Sequence, residues 1–203
     1  FTEPFVLLST GTWCISLNPF NHTPLTAEEL KQDCLCYLTY EGNPVKASRL
    51  FAGYEHEQET RRLANHFTTA EDHYKNIAYQ PELVDQLSSS EYQKNSLSGY
   101  ANYDEAYTHF MMHLVKQQVT STRLVLNNTS VKRIFVDGGF SKNSVFMHLL
   151  SASFSGIEVY GASVAQATAV GAAMAIHQHW NHLPHKTDII NLNYFHQTNS
   201  IRK

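Results

Sequence analysis

The chain has 203 residues, 42% of them hydrophobic and 16% charged, which suits one globular domain, or a domain with a sizeable insertion, and excludes a disordered chain. Its formal net charge is -3 and its Lys and Arg residues are scattered, so there is no basic field and no nucleic-acid partner is expected. No segment approaches the roughly 18 to 20 apolar residues that span a bilayer, so no membrane partner is expected either.

Residues Phe1 to Thr10 are strand-like, with no basic leader and no initiator Met. A chain that opens in the middle of a strand is expected to be a fragment. Two short strands, Phe5–Leu8 and Trp13–Leu17, flank the turn Ser9-Thr10-Gly11-Thr12. Gly11 permits the turn, and the Ser and Thr residues offer hydroxyls and amides on its rim. A third strand, Cys34–Tyr40, stops at Glu41-Gly42-Asn43-Pro44, a strong turn signal. The three cysteines, Cys14, Cys34 and Cys36, are an odd set and make no disulfide framework; they read as reduced core residues of a cytoplasmic protein. Cys34 and Cys36 are placed on opposite sheet faces in this reading and are not expected to share a metal.

Glu55–Phe67 reads as an amphipathic helix, with Leu63 and Phe67 on one face. Thr68–Tyr103 is polar and Ser-rich and reads as an insertion or loop region. Asp104 is expected to cap a long helix that runs through Leu126. The last third then alternates: strand Arg133–Val136, helix Ser141–Ser153, strand Ile157–Tyr160, helix Ala165–Trp180. Strand, helix, strand, helix with short connections predicts an α/β fold. Near the C-terminus His177, His179, His182 and His185 fall at helical spacing. No acidic or Cys residue joins them to complete a ligand set, so they read as a solvated helix end and no metal site is expected.

Three stretches carry candidate chemistry. In Val136-Asp137-Gly138-Gly139-Phe140-Ser141-Lys142-Asn143 a strand ends, two glycines follow and a helix begins. Free amides and the helix dipole favour an anion there, and glycines let phosphate or a base approach the main chain. Asn143 could offer its amide to an adenine edge or a ribose; an Asx-type turn that needs glycine for backbone geometry alone fits the same residues. The Gly11–Thr12 tip could wrap a phosphate, or be an ordinary hairpin turn. Neither stretch matches the P-loop or the dinucleotide-binding glycine pattern. The third stretch, Ala165 to Ala175, is a helix of small residues and reads as a buried packing element.

Taken in order, Ser9-Thr10-Gly11-Thr12-Trp13, then Asp137-Gly138-Gly139 with Ser141-Lys142-Asn143, then Gly171-Ala172-Ala173, the sequence resembles the C-terminal domain of the FGGY carbohydrate kinases. These belong to the actin-like ATPase superfamily. The first motif looks most like the rhamnulokinase and fuculokinase branch. The resemblance implies a ribonuclease H-like α/β domain, a mixed sheet flanked by helices, as the nucleotide-binding half of a cytoplasmic enzyme. That enzyme would transfer the ATP γ-phosphate to a ketose such as L-rhamnulose or L-fuculose, with ATP and Mg²⁺ as cofactors. Gly11 and Thr12 inherit contact with the terminal phosphates. Gly138 and Gly139 inherit the neighbourhood of the α-phosphate and adenosine, and Asn143 that of adenine. Gln166 stands where many relatives have Glu.

In the family the Asp that accepts the sugar's proton precedes the Gly-Thr turn, and here it is expected upstream of Phe1, within an N-terminal sugar-binding domain that this chain lacks. The fragment alone is therefore expected to be inactive. Its surface toward the missing domain is expected to favour self-association. The alternatives are a kinase of the xylulose or glycerol branch, or a non-catalytic nucleotide-sensing module on the same fold.

Overall fold

Buried and half-buried residues alternate along Phe5–Thr10 (β1) and Cys14–Asn18 (β2), which pair antiparallel around the Gly11 turn. A second hairpin joins Cys34–Leu38 (β3) to Pro44–Leu50 (β4), and β4 adds antiparallel to β2. Arg133–Gly138 (β5) lies parallel to β1, Glu158–Ser163 (β6) parallel to β5, and Asn191–Phe195 (β7) closes the far edge antiparallel. The result is a mixed seven-stranded sheet of order β3-β4-β2-β1-β5-β6-β7. This computed structural model describes residues 3–164, 167–179, 181–184 and 189–196.

The helices are Ala27–Lys31 (α1), Ala52–Phe67 (α2), Pro81–Leu87 (α3), Tyr103–Leu126 (α4), Ser144–Ser153 (α5) and Ala167–Ala175 (α6). One sheet face carries Val6, Leu8, Ile134, Val136 and Val159, all fully buried, beneath α4 and α5. The half of α4 that crosses β2 and β4 docks through polar groups. Ser16 and Thr122 share a hydrogen bond of 2.8 Å, Ser48 donates to the Ser121 carbonyl at 2.7 Å, and Asn18 Nδ2 donates to the Val125 carbonyl at 2.8 Å. Leaving buried polar groups unpaired is costly, so these three bonds favour the register that makes them.

Several elements depart from the sequence reading. Strand β4 follows the Gly42 turn unforeseen, because Lys46 and Ser48 occupy inward positions where alternation calls for apolar residues. Lys46 is buried but satisfied, donating to Glu29 at 2.6 Å and to Thr23 at 3.0 Å. Cys34 and Cys36, two residues apart, lie on one face by strand periodicity and not on opposite faces. Cys36 is exposed, so it is not a core residue; Cys14 is, and burial pushes its thiol up to about 12. The cap of α4 is Asn102, whose Oδ1 accepts from the Glu105 amide at 2.9 Å, and Asp104 lies inside the first turn.

Helix α5 starts at Ser144, since residues Gly139–Lys142 form a 3-10 turn and Asn143 becomes the cap. The helix of small residues is exposed or half-exposed along its described length, with none of Ala167–Ala175 buried; it touches chiefly the His177–His179 turn that follows. Gln166 and His185 fall outside the described residues.

The Thr68–Tyr103 stretch contains a 3-10 turn at His73–Asn76 and α3, and it is anchored rather than loose. Ile77, Leu87 and Leu97 are buried in the core. Tyr92 donates to buried Glu59 of α2, which Arg62 also holds through its Nε at 3.0 Å. A hydrogen bond to an ionised group contributes more than a neutral one, so Tyr92→Phe should lower stability by about 2 kcal/mol. Urea unfolding with an unchanged slope and a lower midpoint is the expected result; an unshifted midpoint would show that this anchor does not hold the segment.

Candidate functional site

The parallel register of β1 on β5 sets Thr10 opposite Gly138, so the two glycine-bearing turns leave adjacent strands at the same end of the sheet. Thr10 then ties them together. Its Oγ1 donates to the Asp137 carbonyl and accepts from the Phe140 amide at 3.0 Å. Gly138 has φ +89, and a Cβ there would stand 1.8 Å from the Thr10 carbonyl oxygen, so no other residue fits. Past it, a Cβ on Gly139 meets nothing within 4 Å: its main chain borders open space.

The N-terminus of α2 abuts the other turn equally closely. A Cβ on Gly53 would lie 1.8 Å from the Gly11 carbonyl oxygen, and the Tyr54 amide donates to the Thr12 carbonyl at 3.2 Å. Trp13 packs against Phe51 in a tilted pair with ring centroids 4.5 Å apart, and the Arg49 guanidinium lies 5.1 Å over the Trp13 ring, which pins the turn's far side.

Between these walls opens a cleft of about 740 Å³. Thr10 and Gly11 line it from β1, and Gly139, Phe140, Lys142 and Asn143 line it from the second turn. Helix α2 contributes Gly53, His56, Glu57, Thr60 and Arg61, residues that recur at helical spacing on one face. The anchored segment supplies Glu71, Asp72, Tyr74 and Lys75. Two of the cleft's cations are internally paired: Arg61 with Glu57 at 3.1 Å and Lys75 with Asp72 at 3.6 Å. His56 is buried among the rings of Tyr74 and Phe140, and burial pushes its pKa down to about 4, so it is neutral.

Of the residues singled out in the sequence, Gly11, Gly139 and Asn143 line the cleft together. Thr12 and Gly138 stand beside it, one accepting from Tyr54 through its carbonyl and the other fitting the backbone against Thr10. Asn143 is the N-cap of α5, its Oδ1 accepting from the Phe146 amide at 3.0 Å and its Nδ2 donating to the Tyr107 hydroxyl at 2.6 Å. The sequence reading missed His56, Arg61, Tyr74 and Lys75. For α2 the polar spacing from Gly53 through His56 and Thr60 was available as a signal; for Tyr74 and Lys75, inside an irregular stretch, there was none. Among the described residues no group of three or more His, Cys, Asp or Glu side chains could hold a metal ion by itself. No helix of the described residues is long and apolar enough to cross a membrane.

Residues 2–184 match the family profile described as carbohydrate kinase FGGY, C-terminal domain. The chain belongs to this FGGY family. Among solved structures it is similar to a carbohydrate kinase from Novosphingobium aromaticivorans (20% identity, TM-score 0.69, covering 98% of this chain and 44% of that one). It is also similar to the xylulose kinase from Rhodospirillum rubrum (11% identity, TM-score 0.60, covering 98% and 44%) and to the Plasmodium falciparum glycerol kinase with ADP (13%, TM-score 0.52, covering 84% and 37%). At these identities the likeness establishes the fold. The chain thus spans less than half the length of these three kinases, and none of them carries a rhamnulokinase or fuculokinase name. Among curated proteins no sequence matches significantly.

The two neighbouring glycines of this FGGY domain should respond differently to the same change. Gly138→Ala puts a side chain into the Thr10 carbonyl at a positive φ and should cost at least about 2 kcal/mol. Gly139→Ala should leave thermal unfolding almost unmoved. Equal losses for both variants would contradict the turn geometry.

Proposed function

We propose that this chain is the ATP-binding side of a sugar kinase and takes Mg²⁺–ATP in the cleft between the Gly11 turn, the Gly139–Asn143 turn and α2. The observation that supports this most is the Thr10–Gly138 register, because it brings two anion-compatible turns to one cavity. In this reading Gly11 and Thr12 meet the terminal phosphates, Gly138 and Gly139 flank the α-phosphate and adenosine, and Asn143 lies by the adenine. The open main chain at Gly139 gives a flat or anionic group room to approach. Arg61, Lys75 and Lys142 place positive charge along the same cleft, where a polyphosphate would compete with Glu57 and Asp72 for the first two.

The donor set suits a metal held chiefly by phosphate oxygens, with a single carboxylate such as Asp72 or Glu71 in support, as Mg²⁺ commonly is. Bound Mg²⁺–ATP would supply the transferable γ-phosphoryl group. The chain's own contribution is to position and to neutralise charge, which is most of what phosphoryl transfer asks of a protein. The acceptor is proposed to be a ketose such as L-rhamnulose or L-fuculose, on the strength of Ser9-Thr10-Gly11-Thr12-Trp13. Xylulose and glycerol are the competing acceptors, and the names carried by two similar structures, a xylulose kinase and a glycerol kinase, agree with those instead. The carboxylate that takes the sugar's proton is proposed to lie outside this chain, so the chain alone should show no sugar-dependent ATP turnover.

Titration calorimetry of Mg²⁺–ATP into the chain tests the placement. Gly139→Val should weaken binding by about tenfold or more, some 1.4 kcal/mol, while the thermal unfolding profile stays close to that of the parent. Unchanged affinity would move the nucleotide away from this turn. Turnover by the 203-residue chain with any of the four acceptors would overturn the proposed division of labour.

A further inference from the structure

A chain of three hydrogen-bonding side chains runs from the cap of α5 to the cleft face of α2, and its polarity is set at one end. The Phe146 amide can only donate, so Asn143 Oδ1 must be the acceptor and Nδ2 the donor. Nδ2 donates to the Tyr107 hydroxyl at 2.6 Å. Tyr107 is fully buried on α4, and its own proton is then free for His56 Nε2, 3.1 Å away. A phenolic oxygen could also accept from Nε2, but the buried Tyr107 proton has no other acceptor within reach among the described residues. His56 Nε2 therefore accepts it, and the ring proton sits on Nδ1. The ring is edge-on to Tyr74 and Phe140, at centroid distances of 4.8 and 5.1 Å, so its plane is held as well as its tautomer.

We infer that His56 is a nucleotide-binding residue, a neutral Nδ1–H donor to an acceptor oxygen of a nucleoside phosphate, and that Tyr107 is the positioning residue that sets it. The inference rests on the reading of the cleft as a nucleotide site. His56 of α2 and Asn143 of the second turn both line that cleft, and Tyr107, which does not line it, couples them. The second hydrogen of Asn143 Nδ2 remains for a ligand in the same way. Burial keeps the imidazole uncharged, so His56 offers a directed hydrogen bond without an added buried cation. A mere core histidine would need neither the fixed tautomer nor a place on the cleft wall.

The test is long-range proton–nitrogen NMR of the imidazoles at neutral pH. The chain has 12 His residues, and the signal missing from His56→Asn assigns His56. The expected spectrum shows a protonated Nδ1 and a bare Nε2, a mixture of tautomers in Tyr107→Phe, and a shift of Nδ1 when Mg²⁺–ATP is added to the parent. By titration, Tyr107→Phe should bind Mg²⁺–ATP about five- to tenfold more weakly. His56→Asn, which keeps an N–H near the Nδ1 position, should bind more tightly than His56→Phe. A protonated Nε2 in the parent overturns the relay whether or not ATP binds. An unmoved Nδ1, with equal affinity of His56→Asn and His56→Phe and binding still sensitive to Gly139, overturns the ligand role of His56 and leaves the nucleotide cleft standing. Absence of ATP binding by the parent overturns the cleft reading and the ligand role together, while the tautomer still decides the relay.

Discussion

The parallel pairing of β1 with β5, closed at its end by the Thr10 hydroxyl, is the constraint on which the rest of this molecule depends. Parallel strands share their C-terminal ends, and the turns that follow them are neighbours only if the register is right. Here Thr10 and Gly138 are register partners, and one hydroxyl bonds to the second turn on both sides of Gly138. A side chain at position 138 has no room, so the contact between the turns is backbone against backbone. The approach of Gly53 to Gly11 repeats the device on the other wall. The cleft is thus framed by main chain, whose geometry varies far less than that of side chains.

Polar pairing then places the helices relative to that frame. The half of α4 over β2 and β4 is held by Ser16, Ser48 and Asn18 against Thr122, Ser121 and Val125. Sliding the helix by a turn would leave these groups buried and unpaired, at about 1–3 kcal/mol each. At the other end α4 carries Tyr107, between α2 and the cap of α5. The same helix therefore aligns the sheet and sets the two side chains, His56 and Asn143, that face the cleft. Glu59 does comparable work for the Thr68–Tyr103 stretch by drawing Tyr92 in, while Tyr74 of the same stretch packs on His56 and Tyr107 at the cleft wall.

The two sheet faces are covered differently. Val6, Leu8, Ile134, Val136 and Val159 are fully buried on the face under α4 and α5, whereas Phe5, Leu7, Ile15 and Leu17 on the opposite face are half-buried. The cleft has walls formed by two turns, α2 and the anchored segment.

The sequence alone determined the α/β class, the two glycine turns and the strand-helix-strand-helix order from β5 to α6, because these follow from local periodicity and from what glycine permits; it held no sign of β7. It also carried the family resemblance. Strand β4 was not legible: Lys46 and Ser48 look wrong for inward positions until Glu29, Thr23 and Ser121 are brought against them from other elements. The true cap of α5 was not legible either, because a 3-10 turn and the first turn of an α-helix look alike in sequence. What only the tertiary structure decided is which residues meet. The sequence leaves open whether the Asn143 amide serves a ligand or an Asx-type turn; in the fold its Oδ1 caps α5 through the Phe146 amide and its Nδ2 donates to Tyr107. His56 and Tyr107 lie 51 residues apart in the chain, and their contact exists only once α2 and α4 pack together. Local pattern reports backbone preference and burial; partnership across the core depends on packing, which no local window contains.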